Sequence, residues 1–345
     1  MTLPYRTRRT LTTLGIIGLI LVLIAMVVWF IWLLWLDRYV VYTRDGAIID
    51  FNLSLEYPEG EIARPPEQSD DSVDIYFNEG DNAVNISTEL TSLLGYYIDT
   101  KMLKDNFELV ERQVKLLPEY APVMIDLKDA DGFYYYATSL GKVASGIDTA
   151  QVGQLLEYML SHKLYVIVRI PSFRDSLYVL DHDRQGLIHS SGRYVYRDTD
   201  KCYWLDPTND SALAHLMQIV SEIKTLGVHE VVFDDFNYPN TSDIYFKGNR
   251  DQALAEAAQK LVNACMTNTF AISFTVQDAM FALPDGRTRI YMENQSAGNA
   301  QTLCDMTGFE DPNVRLIFIT EINDTRFDSY SVLRPITAAE LEEED

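Results

Sequence analysis

The segment HEVVFDDFNYP, residues 229–239, is an apolar run that ends in two carboxylates, Asp234 and Asp235, before an aromatic loop stopped by Pro239. Strands of a parallel barrel are buried along their length and carry their chemistry at their C-terminal ends, so acids placed there face a cleft. Asp126, Asp278, Glu293 and Glu321 end other apolar runs in the same way. Carboxylates on facing strands suit general acid–base or nucleophilic chemistry. Side chains alternate along a strand, which turns Asp234 and Asp235 to opposite faces, so a working pair must come from two different strands. The same acids would equally cap the helices that follow them or pair with Arg169.

The elements needed to hold such acids alternate along the chain. LLGYYID and APVMIDLKDADG have strand character and flank a helical spacing over 106–117. Asp148 or Thr149 caps a helix whose Val152, Leu155, Leu156, Met159 and Leu160 share one face, and LYVIVRIPSF is the next strand. A charged, tyrosine-rich excursion over 174–203 has the length of a functional loop. It returns at WLDPTND, where Asp206 is placed to cap a helix beginning at Pro207 and stopping at Gly227. HEVVFDD, a helix over 251–266, FAISFTVQD, RIYMENQ, a helix over 298–305 and VRLIFITEI continue the rhythm. Such alternation predicts an α/β fold with a parallel sheet. No glycine-rich phosphate loop follows any strand, which favours a TIM-type (β/α) barrel over an open nucleotide-binding sheet. Eight units cannot be counted, so either the barrel is incomplete or irregular or the N-terminal segment contributes to it, with residues 93–325 forming the barrel domain, an irregular β-rich segment over 37–92 before it and an acidic tail over 326–345 behind it.

GYYIDT, VMIDLKDADG, YVIVRIPSFRDS, YWLDPTND and LGVHEVVFDDFNYP occur in the order and spacing of a glycoside hydrolase-like domain family first described as a domain of unknown function, which residues 94–278 resemble. The resemblance implies a TIM barrel distantly similar to the α-amylase-like glycosidases. It places Asp126, Asp129, Arg169, Asp175, Asp206 and Asp234 on the family's recurring polar positions. One departure is Asn237, where the family has an arginine three residues after the fourth-strand aspartate, so a fixed positive charge near the acids is gone.

Glycoside hydrolysis uses two carboxyl groups, about 5 to 5.5 Å apart for retention and about 6.5 to 9.5 Å for inversion. On the resemblance, Asp234 is the nucleophile or base; among the other strand-end acids, Asp278 and Glu293 are the candidates for the acid. Asp126, Asp129, Arg169, Trp204, Asp206, Asp235 and Tyr238 are the expected substrate contacts. Sugar rings stack on aromatic faces, and Tyr134, Tyr135, Tyr136, Tyr194, Tyr196, Tyr203, Trp204, Phe236 and Tyr238 fall in or beside the loops at that end, although tyrosines also fill rims without a ligand. FDDFNYP also resembles the paired aspartates of metal-dependent polysaccharide deacetylases, but His162, His182, His189, His215 and His229 include no pair at helical spacing, so neither metal nor cofactor is expected. The rival from another class is a barrel that binds envelope glycan without cleaving it, as a receptor or scaffold.

Residues 14–36 form an uncharged run that reaches roughly 30 Å as a helix, enough to span a bilayer. Arg6, Arg8 and Arg9 precede it, and Trp29, Trp32 and Trp35 lie at its far end. No small-residue cleavage pattern follows, which favours an uncleaved anchor over a signal peptide. The bilayer and a carbohydrate are thus the expected partners. The formal charge of -23 argues against nucleic acid or an anionic surface as partner, because phosphate binding requires clustered basic residues. Three cysteines, Cys202, Cys265 and Cys304, imply no disulfide framework. The arginines before the run put residues 1–13 in the cytoplasm and the main domain outside, at the cell membrane. Protease added to intact cells should therefore digest the large domain, and full protection there would reverse the orientation.

Overall fold

The computed structural model describes residues 26, 29, 40–43, 46–49, 89–321 and 324–337. Residues 1–82 form one unit, described at Met26, Trp29 and an antiparallel pair, Val40–Thr43 with Gly46–Ile49, in which Thr43 lies opposite Gly46. The expected anchor over 14–36 lies outside the described residues apart from Met26 and Trp29, and among the described residues no helix is long and apolar enough to cross a membrane.

The second unit, 83–345, holds the barrel. Its chain runs β1 (Leu94–Ile98), α1 (Thr100–Asp105), α2 (Phe107–Val114), β2 (Pro122–Asp126), α3 (Thr149–Ser161), β3 (Tyr165–Pro171), α4 (Ser176–Asp181) and α5 (Asp210–Thr225). It continues through β4 (Glu230–Asp234), α6 (Arg250–Cys265), β5 (Ala271–Thr275), β6 (Ile290–Glu293), α7 (Ala300–Thr307), α8 (Pro312–Arg315), β7 (Leu316–Ile319) and β8 (Ser331–Pro335). The eight strands pair in sequence order, all parallel, and β8 closes the barrel by pairing with both β7 and β1, Val332 opposite Leu94. Both alternatives left by the sequence, an incomplete barrel or one completed by the N-terminal segment, are therefore corrected: the barrel is closed, and its eight strands all lie within 94–335. Its last strand, SVLRP, falls in what reads as the acidic tail, because five residues between a charged loop and a run of glutamates carry too little periodicity to stand out.

Alternation along the strands builds two layers. Val123, Ile125, Val166, Val168, Val231, Phe233, Ile272 and Phe274 point outward and pack against helix faces that include Leu155, Met159, Leu216, Val220 and Leu261. The intervening residues Met124, Ile167, Val232, Tyr291, Ile317 and Leu333 fill the interior with Tyr97 and Ile319. Asp148, Asn209 and Asn249 cap α3, α5 and α6 with their side chains. Asp206 is corrected on this point: it accepts from Thr208 N at 2.8 Å and Thr208 Oγ1 at 2.7 Å in a turn one step earlier, and α5 starts at Asp210.

One barrel end is closed by charge. Glu230, at the start of β4, and Arg289, just before β6, form an ion pair with side chains 0% and 1% exposed. Tyr165 and Tyr291 hydroxyls donate to Glu230 at 2.9 and 3.0 Å, and Arg289 donates to the carbonyls of Val314 and Thr91. A second buried group lies outside the strands. Asp175, the cap of α4, binds Lys128 Nζ at 2.8 Å and His215 Nε2 at 3.4 Å, with Tyr178 stacked on the His215 ring. Burial alone would raise the Asp175 carboxyl, but Lys128 and His215 outweigh it and hold it at about 2.

Two outcomes are expected. Arg289→Leu strands the Glu230 carboxylate and should cost about 3 to 5 kcal/mol, a melting-temperature loss of about 10 °C, while adding Glu230→Leu to it should restore part of that loss. A folded pKa held below the unfolded value near 3.8 contributes stability above that value and loses it as pH falls toward about 2. The stability gap between the parent and Asp175→Asn, read by urea unfolding, should thus narrow as pH drops from 4 toward 2.

Candidate active site

The inward positions at the C-terminal ends of the strands carry charge where the layers below carry apolar groups. Period-two counting from Met124, Ile167, Val232 and Tyr291 brings Asp126, Arg169, Asp234 and Glu293 to the mouth. Asp126 pairs in register with Arg169 across β2 and β3. The Arg169 guanidinium donates to Asp126 through Nε at 2.7 Å and Nη2 at 2.8 Å, a bidentate fork. Its third nitrogen, Nη1, hydrogen-bonds Glu293 Oε1 and lies 3.9 Å from Asp234 Oδ2. One arginine therefore draws together acids from β2, β4 and β6.

Burial pushes the Glu293 carboxyl up, Arg169 opposes this, and the charges of Asp234 and Asp126 add to it. Beside this group Tyr97 is pushed up to about 12 by burial and by the nearby acids Asp99, Glu321 and Glu293, against the pull of Arg169. Asp234 and Glu293 keep side-chain exposures of 24% and 35%, so the pair is open to a solute while Arg169 beneath is 10% exposed.

Asp235 takes a different arginine. Its backbone is left-handed, with φ 48°, which ends the strand alternation, and its carboxylate accepts from Arg174 Nη1 at 3.2 Å. Arg174 also reaches Asp198 at 3.2 Å and Asp200 at 3.0 Å and lies over the Trp204 ring. Burial and the charge of Asp234 raise the Asp235 carboxyl, against Arg174. Asn237 thus does not leave the acids without fixed positive charge, since Arg169 and Arg174 supply it from β3 and the loop after it.

The other expected contacts are placed apart from this ring. Asp278 is corrected as the second acid: it is exposed, three residues beyond β5, and its Oδ1 accepts from Met280 N at 2.9 Å to close a turn. Asp129 closes the loop after β2, accepting from Gly132 N and Phe133 N at 3.0 and 2.9 Å. Trp204 is buried and donates to Asp198 at 2.8 Å, and Tyr238 is buried against Phe246. Tyr134, Tyr135, Tyr136, Tyr196 and Phe236 are buried too, while Tyr194 is 57% exposed. Most of the expected aromatic rim is the apolar underside of the loops, because the excursion over 174–203 is folded back by bridges such as Ile188 with Val195 and Arg197 with Tyr203 and needs a core of its own. Arg174 and Tyr97 were not singled out in the sequence. Tyr97 shares the inward parity of its strand, whereas nothing local distinguishes Arg174 from other loop arginines.

The barrel resembles solved structures of glycosidases. α-L-Fucosidase isoenzyme 2 of Paenibacillus thiaminolyticus aligns with a TM-score of 0.54 at 8% identity, covering 71% of this chain and 46% of that one. An inactive mutant of a family 20 exo-β-N-acetylglucosaminidase of Vibrio harveyi aligns at 0.50 and 11% identity, covering 71% and 50%. A hypothetical protein of Ruminiclostridium thermocellum is 20% identical with a TM-score of 0.45, covering 52% of this chain and 96% of its own. The chain spans about half the length of the two glycosidases, and at these identities the likeness is one of fold. No curated protein matches the chain in sequence. The model of the family described as "Putative glycosyl hydrolase domain" matches residues 95–283, more than half of the 345, and the chain belongs to that family.

Proposed function

We propose that this protein hydrolyses glycosidic bonds of an oligo- or polysaccharide by carboxylate chemistry, and that residues 14–36 anchor it in a membrane with the barrel on the outer side. The observation that carries the hydrolase reading is the sharing of Arg169 Nη1 by Asp234 and Glu293 at the C-terminal mouth of the barrel. Two carboxylates that meet one guanidinium nitrogen are held close together, which fits the shorter separation of the retaining arrangement better than the longer one of the inverting arrangement.

In that arrangement Asp234 attacks the anomeric carbon and the glycosidic bond breaks. Glu293, whose carboxyl is raised by burial, gives its proton to the leaving oxygen. Glu293 then takes a proton from water as the water displaces Asp234, and both groups return to their starting states. Asp126 orients Arg169 through the bidentate fork, and Arg169 orients the two working acids. A glycan-binding barrel without turnover is favoured by one feature: the Arg169–Glu293 contact stabilises the ionised glutamate, the wrong form for a proton donor.

A panel of p-nitrophenyl glycosides and an oligosaccharide library separates the two. Asp234→Asn and Glu293→Gln should each lower turnover by about 10²- to 10⁴-fold with little change in melting temperature, while Asp278→Asn leaves turnover near the parent's. Turnover should fall as pH rises through the elevated Glu293 pKa, since the donor is the protonated form, and the first product should keep the anomeric configuration of the substrate by NMR. Full activity in Asp234→Asn would remove the catalytic assignment, and glycan binding without any turnover in the parent would favour the binder.

A further inference from the structure

Strand β5 lies between the two strands that carry the working acids, β4 and β6. Its Ile272 and Phe274 pack outward among the helices, so Thr275, the last residue of the strand, faces the interior at mouth level. The register of Phe233 with Phe274 sets Thr275 beside Asp234, at the roughly 4.8 Å spacing of paired strands. On the other side Thr275 is opposite Tyr291, two residues below Glu293. Thr275 is 7% exposed, and its Oγ1 is buried with no hydrogen-bond partner among the described residues. The neighbouring inward Ser273 is satisfied, its hydroxyl accepting from Arg289 N at 3.0 Å.

A buried hydroxyl without a partner destabilises the fold, and such groups are rare enough to require a reason. A buried apolar side chain of the same shape would satisfy the packing between Phe274 and the barrel interior. Its register beside Asp234 offers the hydroxyl to something that enters between Asp234 and Glu293. We infer that Thr275 is a substrate contact, its Oγ1 hydrogen-bonding a ring hydroxyl of the sugar whose anomeric carbon faces Asp234. This rests on the carbohydrate reading above and adds to it a preference: sugars that carry a hydroxyl at that ring position are favoured over their deoxy analogues. A hydrogen bond of this kind strengthens as the ring flattens toward the oxocarbenium-like state, so it acts on turnover as well as on binding.

The test compares, in the full chain, Thr275→Val, which keeps the shape and removes the hydroxyl, with Thr275→Ser, which keeps the hydroxyl. Melting is independent of the hydrolase reading: Thr275→Val is expected at or above the parent's melting temperature, and a loss of ~5 °C or more would assign the hydroxyl to the fold and overturn the inference. With the p-nitrophenyl glycoside that the parent cleaves fastest, kcat/KM is expected to fall roughly 10- to 100-fold in Thr275→Val, most of it in kcat, and to be largely kept in Thr275→Ser. The matching deoxy glycoside should show no such difference between the variants. Parent-like kcat/KM in Thr275→Val overturns the inference. If the parent binds but cleaves nothing, the hydrolase reading falls, and the glycoside-induced melting shift decides instead, lost in Thr275→Val and kept in Thr275→Ser. A parent with neither turnover nor shift overturns the inference as well.

Discussion

A guanidinium in a low-dielectric barrel holds three carboxylates at once, and the arrangement of the mouth follows from that. Arg169 cannot give up its proton, so it is a permanent cation in a place where an uncompensated charge is costly. Asp126 takes two of its three nitrogens in a fork that fixes the plane of the group. The remaining nitrogen is left to bring Glu293 and Asp234 together. One cation among three acids leaves the ring electronegative, the sign that stabilises positive charge developing on a nearby carbon.

The opposite end of the barrel uses the same kinds of residue to a different end. Glu230, Arg289, Tyr165 and Tyr291 form a closed network in which the carboxylate oxygens and the guanidinium nitrogens all have partners. Between the two charged levels lies an apolar layer of Met124, Ile167, Val232, Ile317 and Leu333. The charge is satisfied within the network at one end and left partly exposed, on Asp234 and Glu293, at the other.

Seven of the eight strands and the acids that end them could be read from the sequence, because buried parallel strands are continuous apolar runs and the carboxylates that stop them stand out. Period-two counting would also have put Asp126, Arg169, Asp234 and Glu293 on one level. What escaped it depends on distance in space. Asp278 and Glu293 are equivalent in the sequence, yet one lies past the strand end in a turn of its own and the other at the rim. The eighth strand is broken up by Arg334 and Pro335, and its place is fixed by its pairing with β1, far off in the chain, as well as with β7. Trp204 and Tyr238 read as rim residues because loops are mostly exposed, whereas a long folded loop buries aromatics beneath itself.

The backbone turns left-handed immediately after each of the mouth acids Asp234 and Glu293, at Asp235 with φ 48° and at Asn294 with φ 56°. Aspartate and asparagine are among the few residues other than glycine that tolerate this state, and a β-branched residue there would be strained. Variation at positions 235 and 294 is therefore confined by geometry before any chemistry is considered. Among relatives, a uniform aspartate or asparagine following a strand-end acid would be ambiguous evidence of a role in the reaction, since the exit from the barrel alone selects for it. Replacement by glycine at such a position separates the two pressures: it preserves the exit and discards the side chain.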